Sequence, residues 1–172
     1  MLYFTHYMFK YIFILTVVFF GCKSDITTDH LLYNSKVEYF KSPNSVQELV
    51  KKHEGNVLYV DIWASWCGPC MREISPAKSL KAKFHKDDSI KFIYINISDS
   101  ENRWRATVEA KKIKGLNTHA NEQLVLSLER DYGLKDIPRY MIFDKKGKLV
   151  NGNALRPSDR EVFKILRDLI DS

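Results

Sequence analysis

Cysteine is scarce in this chain: three among 172 residues, with Cys22 alone and Cys67 and Cys70 close together. That is far too few for a secreted domain stapled by disulfides, and an odd count leaves one cysteine for a separate task. Glycine and proline are also few, at 7 and 5, which excludes collagen-like and low-complexity chains and leaves one ordinary globular domain. No internal repeat is visible. Charge of one sign does not dominate, since 27 Lys and Arg against 21 Asp and Glu give +6. The excess is spread along the chain and acts as a solubility and weak steering contribution. Arginine and aromatic residues form no nucleic-acid-reading motif, so no nucleic-acid partner is expected.

Long hydrophobic runs are missing too. The apolar stretch at residues 11–20 (YIFILTVVFF) is too short to span a bilayer comfortably. It follows Lys10 and precedes Gly21-Cys22 and a polar stretch at residues 23–29. A basic start, a short apolar centre and a small residue at the break form the layout of a secretory signal peptide. Phe19-Phe20-Gly21-Cys22 also resembles a lipobox, in which Cys22 becomes the lipid attachment point of a lipoprotein. A retained N-terminal anchor and an ordinary cleaved signal are the other readings of this layout. The expected organisation is a signal peptide over residues 1–21, a tether over 22–35 and a folded domain over 36–172.

Within that domain, residues 37–40 suit a short strand. Ser45 and Glu48 form a capping box ahead of a helical stripe of Val46, Leu49 and Val50. Residues 57–63 (VLYVDIW) are β-branched and aromatic with one acidic interruption, the pattern of a buried strand. Trp66-Cys67-Gly68-Pro69-Cys70 follows at once, and a helix is expected over residues 67–85, bent at Pro76. A second core strand fits residues 90–98. Helices fit residues 101–114 and 121–132, with residues 115–120 as the connection between them. Ile137-Pro138 leads into a hairpin, with strands at residues 139–143 and 148–151. Ser158 and Glu161 have the spacing of a second capping box before a last amphipathic helix. The order predicts an α/β fold, a central mixed sheet with helices on both faces.

Two cysteines separated by two residues, where a strand turns into a helix, meet a physical requirement of thiol exchange. The first sulfur must be a thiolate, and the free amides and positive end of a helix N-terminus stabilise that anion. The second must lie one turn further in, close enough to attack a mixed disulfide. Cys67 is thus the expected nucleophile and Cys70 the resolving thiol, with Gly68 and Pro69 setting the turn between them. Half a zinc site and two inert buried thiols are the bland alternatives. A zinc site wants a second ligand pair, and His53, His85 and His119 are scattered without ligand spacing. No metal is expected.

Residues 57–70, VLYVDIWASWCGPC, resemble the active-site strand and motif of thioredoxin. The extra N-terminal helix, the helical insert near residues 101–132 and the envelope-type leader narrow this to the thioredoxin-like thiol-disulfide oxidoreductases of bacterial envelopes, the TlpA and ResA group. The resemblance implies a thioredoxin-like fold and a redox-active Cys67–Cys70 disulfide that needs no further cofactor. It also implies three further roles. Asp61, six residues before Cys67, matches the buried acid that exchanges a proton with the resolving thiol. A salt-bridged or solvent-facing carboxylate at a strand end is the alternative for it. Pro138 matches the cis-proline of the fold, with the backbone of Ile137 pairing an incoming extended substrate. Trp66 matches the aromatic beside the nucleophile, whereas Trp63 is read as core packing. Two positions depart from the pattern: Pro76 lies one residue late, and Arg139 stands where many thioredoxins have threonine. Arg139 is either a cation beside the dithiol or a solvated strand-edge arginine.

The implied activity is protein-disulfide exchange in the bacterial cell envelope, on a periplasm-facing lipoprotein. Gly-Pro between the cysteines is the thioredoxin sequence, whose potential near about −270 mV favours a reductant. The family suggests a membrane thiol shuttle as electron donor, and apocytochrome c or mispaired envelope proteins as clients. A peroxidase of the same fold is a second reading, weakened because the threonine of the peroxidatic motif is missing before Cys67. A tethered client-binding module is a third, with Trp104, Tyr132 and Tyr140 as groove aromatics, although such residues more often belong to a core. Lys111, Lys112 and Lys114 give the insert a basic exposed face, most simply a solvated one.

Overall fold

A computed structural model describes residues 36–172, so the expected leader (1–21), the tether (22–35) and Cys22 lie outside the described residues. The elements in chain order are β1 (Val37–Tyr39), α1 (Val46–Lys52), β2 (Val57–Trp63), α2 (Gly68–Ala82), β3 (Ile90–Asn96), α3 (Glu101–Lys111), β4 (Gly115–His119), α4 (Glu122–Tyr132), β5 (Arg139–Phe143), β6 (Leu149–Asn151) and α5 (Glu161–Asp171). One six-stranded sheet runs in the order β1-β4-β3-β2-β5-β6. The first four are mutually parallel, β5 runs antiparallel to β2, and β6 antiparallel to β5. This is the mixed sheet expected for a thioredoxin-like fold.

Side chains on a strand alternate between faces, and the two sides of this sheet bury two separate sets. Tyr59, Trp63, Phe92, Tyr94, Tyr140 and Ile142 point toward α2, α3 and α5, where they join both cysteines, Leu80, Trp104, Val108, Val162 and Leu166. Leu58, Val60, Ile62, Ile93, Ile95 and Met141 point the other way, onto Val46 and Leu49 of α1 and Leu124 and Leu128 of α4. All seven residues of β2 are buried, because β2 is central and covered on both faces. At about 1.5–3 kcal/mol for each large apolar side chain removed from water, this strand is a main source of stability.

Two local expectations give way to tertiary structure. Residues 115–120, expected as a connection, contain β4, which sits inside the sheet between β1 and β3. The sequence GLNTH lacks an apolar alternation because, beside the buried Leu116, its buried side chains Asn117 and Thr118 are polar. Asn117, for instance, is fully buried and donates to the carbonyls of Ile113 and Gly115. The helical insert is therefore a helix and strand unit. Gly115 opens that strand at φ +112°, and a Cβ there would stand 2.9 Å from the Phe92 carbonyl oxygen. The Lys81 ammonium, buried on α2, donates to the Lys114 carbonyl just before it. Burial, helped by the charges of Lys114 and Lys78, pulls the Lys81 pKa down to about 7.

The second correction concerns α5. Ser158 does not cap it: its N–H and Oγ–H both donate to the Glu73 carboxylate of α2, at 3.0 and 2.9 Å. The helix starts later, at Glu161, and its N-cap Arg160 makes no side-chain capping bond. Asp159 Oδ1 accepts from the Glu161 N–H instead. By contrast Ser45 caps α1 as expected, accepting from the Glu48 N–H at 3.1 Å. The reciprocal bond of Glu48 reaches one residue further back, to the Asn44 N–H.

Candidate redox site

β2 delivers the chain to the carboxyl end of the sheet, and Ala64, Ser65 and Trp66 turn it into α2. The Cys67 N–H closes this turn on the Ala64 carbonyl at 3.1 Å. Cys67 is the N-cap of α2, extended at φ −77° and ψ 98°, and its sulfur accepts the Cys70 N–H at 3.1 Å. Gly68 and Pro69 fill the first helical positions, where a proline loses no needed hydrogen bond. The helix continues through Pro76 and ends at Ala82, three residues short of the expected His85. Cys67 and Cys70 form a disulfide, S–S 1.99 Å and Cα–Cα 5.2 Å. Both are buried, while Trp66 beside them is 59% exposed. The exposed Trp66 ring therefore sits at the surface directly beside a buried disulfide.

The Ile137–Pro138 peptide is cis. Arg139 pairs with Ile62 near the end of β2, so the antiparallel register sets Pro138 at the same end of the sheet as Cys67. Ile137 lies against the apolar cluster that contains both cysteines. Arg139 is neither solvated nor free. Its guanidinium donates to the Gly152 carbonyl at 3.2 Å and pairs with Asp136 at 3.7 Å, with the side chain 14% exposed.

Asp61 is buried in the middle of β2, opposite Tyr94 on β3 and Tyr140 on β5. It is neither salt-bridged nor solvent-facing: its Oδ1 is buried without a hydrogen-bond partner, as are Trp63 Nε1 and the Tyr140 hydroxyl. Burial, with a smaller push from the Glu73 charge, raises the Asp61 pKa from 3.8 to about 8. Asp61, Trp63 and Cys70 line one cavity with Tyr94, Lys78 and Ile113. Its volume of about 10 Å³ is close to the room that one water needs. A group that titrates near neutrality therefore lines the same small cavity as the inner cysteine.

Glu73 and Asp99 escaped the sequence reading. Glu73 is buried on α2, held by Ser158. Its only sequence signal is an acid on the helix that carries the cysteines. Asp99 accepts three hydrogen bonds, two from Ser65 and one from Asn96. In the run Ser98-Asp99-Ser100 it looks like ordinary helix-start polarity. Trp63, Trp104 and Tyr140 are core residues, each at most 2% exposed, and Tyr132 packs edge-on against Phe143. Among the described residues no group of three or more His, Cys, Asp or Glu could hold a metal ion.

A disulfide at a helix N-terminus, beside a cis-proline loop at the carboxyl end of a mixed sheet, defines a thioredoxin-like architecture. The Thioredoxin-like family model matches residues 55–149, more than half of the chain, and the protein belongs to that family. Among curated proteins it is similar to Thioredoxin-1 of Caenorhabditis elegans, 30% identical over 69 residues, covering 40% of this chain and 56% of that protein. It is also similar to the sporulation thiol-disulfide oxidoreductase A of Bacillus subtilis, 25% identical over 97 residues, 56% of this chain and 58% of that protein. The chain thus spans a little over half the length of these relatives. A crystal structure of a candidate thiol-disulfide oxidoreductase from Bacteroides vulgatus superposes with a TM-score of 0.61 at 29% identity, covering 69% of this chain and 81% of that one.

Proposed function

We propose that this protein is a thiol-disulfide oxidoreductase of the bacterial cell envelope that reduces protein disulfides through Cys67 and Cys70. The observation that carries the reading is the Cys67–Cys70 disulfide at the N-terminus of α2 with the titratable Asp61 in the cavity behind it. In the reduced protein the Cys67 thiolate attacks one sulfur of a client disulfide. A mixed disulfide forms, and the other client sulfur leaves as a thiolate that takes a proton from solvent. Cys70 then gives its proton to the Asp61 carboxylate, directly or through a water in the shared cavity. Its thiolate attacks Cys67 Sγ, the second client thiolate leaves, and the enzyme is left oxidised with Asp61 neutral. A carboxyl with a pKa of about 8 suits both halves of that exchange near neutral pH.

Trp66, Gly68, Pro69, Ile137 and Pro138 form the client contact in this reading, with the backbone of Ile137 pairing an extended client segment. The leader layout at residues 11–20 and Cys22 support an envelope lipoprotein, with the membrane as the source of electrons through a thiol donor. Among the described residues no helix is long and apolar enough to cross a membrane. The test is to express Cys70→Ser in a bacterial envelope and separate mixed disulfides by mass. Client proteins attached to Cys67 in a membrane fraction support the proposal, with release of the protein from that fraction by Cys22→Ser. Absence of adducts under conditions that trap a related oxidoreductase overturns it.

A further inference from the structure

The turn that carries Cys67 is held from outside its own element. Three parallel strands end side by side here: Trp63 of β2 pairs with Asn96 of β3, and Asn96 pairs with His119 of β4. Asp99 stands over these ends. Its Oδ2 accepts the Ser65 N–H and the Asn96 Nδ2–H, each at 2.7 Å, and its Oδ1 accepts the Ser65 Oγ–H at 2.7 Å. Its own carbonyl accepts the Nε2–H of His119 at 2.7 Å. The imidazole is fixed from its other side by stacking on the buried Trp104, ring centroids 5.6 Å apart.

The backbone is bent to make this possible. Ser98, just before Asp99, lies at φ +61°, a left-handed conformation that costs a residue with a Cβ about 1 kcal/mol or more. A helix start does not require that bend, since Ser100 already caps α3 by accepting the Arg103 N–H. What the bend supplies is a carboxylate aimed at the Ser65 backbone, two residues before the nucleophile. Burial opposes a charge on Asp99, but the bonds from Ser65 and Asn96 outweigh it and hold the carboxyl below its ordinary range.

We infer that Asp99 is a positioning residue for the thiol chemistry. It clamps the Ala64 to Trp66 turn so that the Cys67 sulfur stays over the amides of α2, and through His119 it ties that turn to the inserted strand β4. This rests on the proposed function above and deepens it. The insert thereby becomes part of the frame of the nucleophile, because a shift of β4 reaches Ser65 through two hydrogen bonds.

The test uses the full chain, reduced, with two readouts: alkylation of Cys67 by iodoacetamide, located by peptide mass spectrometry, and reduction of insulin disulfides. Asp99→Ala loses all three side-chain bonds, and both rates should fall about tenfold or more, as small misplacements of reacting groups do. Asp99→Asn keeps the clamp, its oxygen facing the Ser65 N–H and Asn96 while its amide donates to Ser65 Oγ. It should stay within about twofold of the unsubstituted protein. If folded Asp99→Ala reacts at the unsubstituted rate, or Asp99→Asn is as slow as Asp99→Ala, the inference is overturned. The second result would assign the effect to charge. Should Asp99→Ala not fold, Ser65→Ala decides: it removes one of the three bonds, so slowed alkylation supports the clamp and unchanged alkylation refutes it. If the unsubstituted protein fails to reduce insulin, the proposed function falls, while the alkylation series still reads the clamp.

Discussion

Replacing Asp61 by asparagine should stabilise the oxidised protein, increasingly so as pH rises. Asp61 has an ordinary pKa of 3.8 when unfolded and about 8 in the folded chain, chiefly because burial disfavours the charge. Between these values the unfolded state has released the proton and the folded state still holds it. Folding then takes up a proton, so stability falls as pH rises across that window. The slope is about 1.4 kcal/mol per pH unit for a single group. Asparagine does not titrate, and because Oδ1 has no hydrogen-bond partner, the substitution breaks no bond at that atom. The advantage of Asp61→Asn is therefore small near pH 4, on the order of 4 kcal/mol at pH 7, and level above about pH 8. Guanidinium unfolding of both oxidised proteins at pH 4, 5, 6, 7 and 9 measures this difference, and titrations shared by both proteins cancel. A difference that is constant across pH 5–8, or that grows toward acid, would refute the argument that Asp61 is buried and protonated.

Glu73→Gln keeps a carbonyl and an amide facing Ser158 while removing the charge that helps raise the Asp61 pKa. The Asp61 carboxyl, followed by carbon-detected magnetic resonance, should then titrate below its present midpoint. An unchanged or higher midpoint would contradict the coupling. Gly115→Ala forces a Cβ to within 2.9 Å of the Phe92 carbonyl oxygen at a backbone angle of +112°. Denaturant unfolding should show a loss of about 2 kcal/mol or more, against a few tenths for an exposed, unstrained site.

The legible parts of this fold were those where one residue pattern serves one purpose. β2 is apolar at nearly every position because it is buried on both faces, and the two-residue spacing of Cys67 and Cys70 has few meanings at a strand-to-helix junction. β4 was illegible because buried amides and hydroxyls, as at Asn117 and Thr118, look like loop residues until their neighbours are known. Ser158 has the right local spacing for a cap, but instead of accepting a helix N–H its hydroxyl donates to Glu73, 85 residues away. Asp99 was missed for a related reason. Its value comes from three strand ends meeting in space, and nothing near it in the chain announces that. Asp61 shows the reverse case, since family resemblance suggested a buried acid and the packing between Tyr94 and Tyr140 supplies the physical cause.

The central claim is that Cys67 attacks and Cys70 resolves, and single-cysteine variants at this pair test it most directly. Reduced Cys70→Ser and Cys67→Ser, each exposed to oxidised glutathione at pH 7, are examined by intact mass and peptide mapping. The account predicts a glutathione adduct that builds up quickly on Cys67 in Cys70→Ser, and far slower labelling of Cys70 in Cys67→Ser. Faster labelling of Cys70, or equal rates at the two sulfurs, would contradict it.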